Sequence, residues 1–245
     1  MDRNSFFKQA FSLLKKTAVP PKEAPAENEQ QLPAELSDPS DLTSIEIGYC
    51  NKAGLHPDTG IFLKKLTKRP VEKLVFEDYD TETNKPSGIC SLTTEENARA
   101  IIKEYREEFI SKGQFIYICD LPGNGSQVGI LNGITDPYEI MKLAETNGAN
   151  HDIQAADIIE QYKKWDAEFG IRPFAIGFDF CECEIINKDI DYKKLAAAIY
   201  QFCPDVVDQG TATLEALEDE LKRTGSIFLW WDSVMLVRHQ SQCCW

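Results

Sequence analysis

Hydrophobic residues recur along the chain at two spacings, which divide it into predicted helices and strands. Apolar positions three and four residues apart predict helices over residues 94–111, 154–169, 191–202 and 213–224. Alternating or short continuous apolar runs predict strands over residues 45–50, 71–77, 115–121, 127–131 and 227–231. In the apolar run 174–186 the alternation changes face near Asp179, so two strands joined by a turn are expected there. This mixture predicts an α+β fold, with a mixed, mostly antiparallel sheet and helices packed on it.

Capping residues mark several of the predicted helix boundaries. Thr93 has the spacing of a capping box at the start of the first of these helices. Asp136, which a proline follows, predicts one further helix, and that helix is expected to end at Gly148. Asp152 is expected to cap the helix after it. Between the first two predicted strands the sequence predicts only a loop.

The composition divides the chain into five regions. Residues 1–18 predict a short amphipathic helix, and residues 19–42 are a Pro-rich segment typical of a flexible, disordered linker. Residues 43–128 predict an N-terminal α+β segment, residues 129–232 a C-terminal α+β domain, and residues 233–245 a tail. The sequence leaves open whether the two α+β regions share one sheet.

The charge of the 245-residue chain is unevenly distributed. The formal net charge of −14 comprises +4 in residues 1–22, −6 in residues 23–42, −2 in residues 43–128 and −10 in residues 129–245. Such an acid excess argues against nucleic-acid binding, which needs clustered Lys and Arg. It favours either an ordinary solvated surface or a surface that meets a basic protein partner. The basic N-terminal helix suits docking on this chain or on a partner, or weak contact with a membrane surface.

The cysteines and the apolar runs indicate a cytoplasmic protein. The chain shows no secretory signal and no apolar run of about 18 residues that could span a membrane. Its eight cysteines are scattered, which is typical of reduced thiols in the cytosol. Cys181 and Cys183 lie on one strand face, but no second cysteine pair follows, so neither a metal nor a cofactor is expected.

A series of short motifs in the C-terminal half resembles a known family. The motifs are TNGANHD (146–152), GFD (177–179), FCPD (202–205), DQGT (208–211) and LWWD (229–232), with Trp165 in the helix between the first two. Together they resemble an uncharacterised, mainly bacterial family known as the domain of unknown function numbered 4253, over about residues 133–232. His151 departs from the aromatic residue expected at its position. The resemblance implies no established activity.

Polar residues of these motifs lie at the ends of predicted elements, where binding sites commonly form. If their loops meet, they form an acidic pocket with an aromatic wall, which suits a cation or acid–base chemistry. The same residues also suit helix caps and turns, so purely structural roles stay open. The candidate ligand- or partner-binding residues are Asn147, Asn150, Asp152, Asp205, Asp208, Gln209, Trp230 and Asp232.

Catalytic motifs are missing from the sequence. It contains no P-loop, no HExxH and no GxSxG, and the Cys–His pair between the family-like loops would be Cys203 with His151. No catalytic residue is therefore assigned. The sequence predicts a non-enzymatic binding or interaction protein, comparable to immunity proteins that cover a basic partner. The alternative is an enzyme or a small-ligand or cation binder that uses the acidic pocket.

Overall fold

Seven strands form one mixed sheet in the computed structural model, which describes residues 41–76, 87–121 and 125–231, apart from the side chain of Asn150. The strands are β1 Glu72–Leu74, β2 Gly88–Thr93, β3 Gln114–Asp120, β4 Ser126–Asn132, β5 Ile171–Ile176, β6 Phe180–Ile185 and β7 Ser226–Trp230. Their order is β1-β2-β4-β3-β5-β6-β7, with every neighbouring pair antiparallel except β3–β5. The predicted α+β fold is confirmed. The predicted N-terminal helix, residues 19–40 of the predicted linker and the tail lie outside the described residues.

Helices cover both faces of this sheet. In the described residues they are α1 Ser44–Lys52, α2 Pro57–Thr67, α3 Glu95–Ser111, α4 Pro137–Leu143, α5 Ala155–Phe169, α6 Tyr192–Phe202 and α7 Leu214–Thr224. Arg99 of α3 contacts Glu182 of β6, which places α3 on one face together with α1 and α2. Tyr162 of α5 lies beside Cys181, which precedes Glu182 and therefore points to the other face. Helices α4 and α5 contact β5 on that second face, Phe202 of α6 packs against Trp165 of α5, and α7 packs on α6.

The two predicted α+β regions share this sheet. Ile118 of β3 pairs with Ala175 of β5, so strands of both regions are neighbours at its centre. Strand β4 itself runs across the expected boundary between residues 128 and 129. The C-terminal region therefore continues a sheet that begins in the N-terminal region.

The predicted strand over residues 45–50 is wrong, because these residues lie in helix α1. The Thr43 hydroxyl accepts from the Glu46 N–H at 3.2 Å, and the Glu46 carboxylate accepts from the Thr43 N–H at 2.7 Å, which closes a capping box. The expected loop contains helix α2, which packs closely on α1. A Cβ at Gly60 would lie 2.6 Å from the Cys50 Sγ, so only glycine permits this approach.

One strand and two helix boundaries also differ from the sequence predictions. Strand β2 was not predicted, although it lies inside the sheet between β1 and β4. The N-cap of α3 is Thr94, which accepts from the Asn97 N–H at 3.2 Å, whereas Thr93 ends β2. Helix α4 ends at Leu143 rather than near Gly148.

Most of the remaining elements follow the hydrophobic pattern. The predicted pair of strands in residues 174–186 is confirmed, since β5 and β6 are separate strands with Asp179 between them. The helices expected over 154–169, 191–202 and 213–224 correspond to α5, α6 and α7 within one or two residues. These elements bring one end of β5, β6 and β7 next to the loops that carry the family-like motifs.

Candidate functional site

The loops after α4, β5 and β7 meet at one end of the sheet. The Asn147 N–H donates to the Phe178 carbonyl at 2.8 Å, and the Trp231 N–H donates to the Asp179 carbonyl at 3.0 Å. We call this arrangement the loop cluster; it comprises residues 146–152, 177–179, 203–211 and 230–231. The sequence left open whether these loops meet, and in the described residues their backbones are in direct contact.

A contact between His151 and Asp205 joins the first loop to the segment after α6. The His151 Nε2 lies 3.0 Å from the Asp205 Oδ2. The side chain of His151 is 31% exposed and that of Asp205 is 11% exposed, so the imidazole lies at the surface and the carboxylate beneath it. This contact holds the His151 ring in one orientation.

Trp231 fills the centre of the loop cluster. Its side chain is buried, and its ring lies edge-on to Phe202 with the centroids 6.1 Å apart. A Cβ at Gly148 would lie 2.5 Å from the Trp231 Cδ1, so the backbone of the first loop packs directly against the indole. Trp230 is also buried, and it stacks on Phe228 on the opposite face of the sheet. Both tryptophans are core residues rather than an exposed aromatic wall.

Cys203 has a structural environment. Its thiol is buried and donates to the Trp230 carbonyl at 3.1 Å. Burial and the neighbouring Asp205 carboxylate raise the pKa of Cys203 to about 12. A thiol with this pKa is almost fully protonated at neutral pH, whereas the nucleophile of a cysteine enzyme is a thiolate. His151, moreover, makes its contact with Asp205, so the possible Cys–His nucleophile is not assembled.

The other candidates occupy different positions around the loop cluster. The side chain of Asn147 turns back to its own loop, where it donates to the Glu145 carbonyl at 2.8 Å and accepts from the Ala149 N–H at 3.1 Å. Asp152 is exposed and has a left-handed backbone with φ of 56° after a short 3-10 turn. The prediction that Asp152 caps α5 is wrong, because Gln154 is the N-cap.

The segment predicted as a turn after α6 is one turn of π-helix, Val206–Thr211. It presents Asp208 and Gln209 to solvent, and Asp208 accepts from the Tyr200 hydroxyl at 3.3 Å. The side chain of Asn150 and all of Asp232 lie outside the described residues. Within the described part of the chain, no group of three or more His, Cys, Asp or Glu residues is arranged to hold a metal ion.

Sequence reasoning missed a set of charged residues on the face of the sheet that α3 covers. Arg99, Lys103 and Arg106 are spaced four and three residues apart, so they form one stripe along α3. Arg99 makes two bonds to the buried Glu182, at 2.7 and 2.8 Å, and Arg106 bonds to Glu184 at 2.7 Å. The sequence signal that could have found this set is the helical spacing of three cationic residues in an otherwise acidic chain.

Comparison with known proteins identifies the part of the chain that carries the loop cluster. Residues 130–232 match a family described as Domain of unknown function (DUF4253). Over these residues the chain is similar to the DUF4253 family. The resemblance seen in the sequence motifs is thus confirmed, with β4 contributing the start of the match. No curated protein and no solved structure matches the chain.

Proposed function

We propose that the protein is a non-enzymatic binding protein whose DUF4253 domain docks on a basic partner through the acidic surface around the loop cluster. The observation that carries the proposal is that some candidate residues are buried and others are exposed. The buried ones pack or form hydrogen bonds inside the fold, whereas Asp152, Asp208 and Gln209 face solvent. The exposed positions therefore offer charge for recognition but no assembled catalytic group.

Helix α7 extends the exposed acidic surface. It packs against the π-helical turn that carries Asp208, and it adds the exposed carboxylates of Glu215 and Asp219. Carboxylates at the surface attract a basic partner over roughly one Debye length, about 8–10 Å at physiological salt. Binding that depends on them should accordingly weaken as salt rises.

A charge-reversal pulldown tests the proposal. Tagged protein is incubated at low salt with an extract of the cells that produce it, and bound proteins are identified after a salt gradient. The wild type should retain a basic protein that elutes as salt rises, and the D152K/D208K variant should lose it. The matched control is E72K/E104K, which reverses two exposed carboxylates outside the DUF4253 domain and should retain the partner. The proposal fails if no partner is retained at low salt, or if both variants retain it equally.

The alternative, an enzyme or a small-ligand or cation binder at the loop cluster, has one specific observation in its favour. His151 is partly exposed and held by Asp205 at 3.0 Å, an arrangement that can serve acid–base chemistry or orient a ligand. A thermal-shift screen with metal ions and metabolites tests this alternative. A ligand at about 100 times its Kd should stabilise the fold by about 2.7 kcal/mol. The H151Q variant should lose that stabilisation; a shift unchanged in H151Q would place the ligand elsewhere.

The proposal includes a cytoplasmic location. The six cysteines of the described residues are all free thiols, as a reducing compartment would keep them. No helix in the described part of the chain is long and apolar enough to cross a membrane. Mass spectrometry of protein alkylated directly in lysed cells should find these thiols reduced, and disulfides between them would contradict the assignment.

A further inference from the structure

A pocket of about 240 Å³ lies between α3 and the strands β5, β6 and β7. Four cationic side chains line it: Arg99, Lys103 and Arg106 from α3, and Lys188 from the loop after β6. Glu184 is the acidic residue of the lining. This excess of positive charge is unexpected beside strands from the acidic half of the chain.

The cations differ in how far the protein itself neutralises them. Arg99 is paired with two carboxylates, those of Glu182 and Glu95. Lys103 and Lys188 are exposed, and neither ammonium lies within salt-bridge distance of a carboxylate in the described residues, although the Lys188 ammonium donates to the Ile185 carbonyl. Two positive charges at the rim therefore remain available to a ligand.

Arg106 supplies a buried donor at this pocket. Its side chain is 8% exposed, and its Nη2 donates to the Glu184 carboxylate at 2.7 Å. The Arg106 Nε is buried and has no hydrogen-bond partner. A buried N–H of a charged group without an acceptor is costly, and such groups commonly mark the place of a missing ligand or water.

One wall of the pocket is apolar. Phe174 and Ile102 line it, and the Arg99 guanidinium lies over the Phe174 ring, 5.6 Å from its centroid. Small-molecule sites commonly combine an apolar wall with a few converging polar groups. The volume is below the roughly 300 Å³ at which pockets for drug-sized ligands begin, so the pocket suits a small molecule.

We propose that this pocket binds a small organic anion. Its carboxylate or phosphate group lies among Lys103, Arg106 and Lys188, and its apolar part lies against Phe174 and Ile102. The site is separate from the loop cluster, because Glu184 lies next to the last residue of β6 and Ser226 begins β7, whereas the loop cluster lies at the opposite ends of these strands. The anion site and the acidic docking surface can therefore be tested independently.

Binding of two simple aromatic anions by the full-length chain tests the proposal. Benzoate and phenyl phosphate serve as the carboxylate and phosphate probes, and benzamide is the neutral probe of similar shape. Ligand-observed NMR titrations should show saturable binding of at least one anion below about 10 mM. Benzamide should bind at least about tenfold more weakly, because it lacks the charge that the lysines recognise. The stronger of the two anions identifies the head group that the site prefers.

A pair of lysine variants locates the binding. K103Q/K188Q removes the two rim charges and should weaken anion binding about tenfold or more. K52Q/K65Q removes two exposed lysines of α1 and α2 that do not line the pocket, and it should leave binding within about twofold of the wild type. Absence of anion binding, benzamide binding as strong as benzoate, or equal effects of the two variants would each overturn the proposal. Thermal denaturation of both variants confirms that they are folded.

Discussion

Replacing Arg99 with methionine should destabilise the protein, because the Glu182 carboxylate would be left buried without its cation. The Glu182 side chain is 4% exposed, and both of its oxygens accept from Arg99, at 2.7 and 2.8 Å. Removing one partner of a buried ion pair costs about 3–5 kcal/mol. Arg99 itself is 40% exposed, so water can partly replace it. We therefore expect R99M to lower the free energy of unfolding by about 2–3 kcal/mol.

The loss should depend on pH in a defined direction. Burial raises the pKa of Glu182 above its ordinary value even in the intact protein, and the Arg99 guanidinium offsets only part of this effect. Without Arg99 the pKa should rise further. When the pKa of a carboxyl is higher in the folded than in the unfolded state, the free energy of unfolding falls as pH rises. The fall begins at the unfolded-state pKa, about 4.3, and ends above the folded-state pKa. R99M should therefore be more destabilised at pH 8 than at pH 5, by about 1 kcal/mol.

A double-mutant cycle separates this explanation from general disruption of α3. E182Q removes the charge but keeps the shape, so it should change stability by no more than about 1 kcal/mol. R99M/E182Q should be more stable than R99M alone, because no buried charge remains. Urea denaturation of the wild type and the three variants at pH 5 and pH 8 provides the measurement. A double variant no more stable than R99M, or an R99M loss that is equal at both pH values, would refute the reasoning.

Three further predictions concern packing, a thiol and a helix cap. G148A should lower the free energy of unfolding by about 2 kcal/mol, since its Cβ would lie 2.5 Å from the Trp231 Cδ1. In the control G48A no atom lies within 4 Å of the added Cβ, so this variant should stabilise α1 by about 0.5–1 kcal/mol. Thermal denaturation of both variants provides the measurement. Cys203 should resist alkylation at pH 8 until urea unfolds the protein, as followed by mass spectrometry, because burial raises its pKa to about 12; labelling of the native protein would contradict its buried position. T94A should cost about 1 kcal/mol in urea denaturation by removing the N-cap of α3, and no change would show that the cap hydrogen bond contributes little.

Sequence patterns predicted the C-terminal half well because its elements are long, periodic and clearly terminated. Asp136 and the proline after it do start a helix, and the alternation change near Asp179 does separate two strands. The pattern failed over residues 45–50, where alternating Ile45 and Ile47 resemble a strand. Both are exposed on helix α1, and the buried positions are Glu46 and Cys50, four residues apart. Because one of the buried positions holds an acidic residue and the isoleucines are exposed, the apolar residues of this segment do not show the spacing of a helix.

The candidate site was predictable only as far as loops at one end of a sheet must meet. The meeting of Asn147 with Phe178 and of His151 with Asp205 follows from that topology. The burial of both tryptophans does not, because neighbouring positions on a strand point to opposite faces, and only packing shows that both faces are covered. Side-chain burial, rather than position in the sequence, decides which candidates can recognise a ligand.

The residues that match the DUF4253 family depend on the N-terminal region for part of their packing. The DUF4253 match begins at residue 130, inside β4, and excludes β2, β3 and α3. Yet Glu182 of the matched part lies buried against Arg99 of α3, and β5 pairs with β3. Without the N-terminal region, Glu182 would lose its cation and β5 its neighbouring strand. The net charge of −10 in residues 129–245 therefore conceals a local inversion, because α3 brings three cations from outside that region onto the acidic strands.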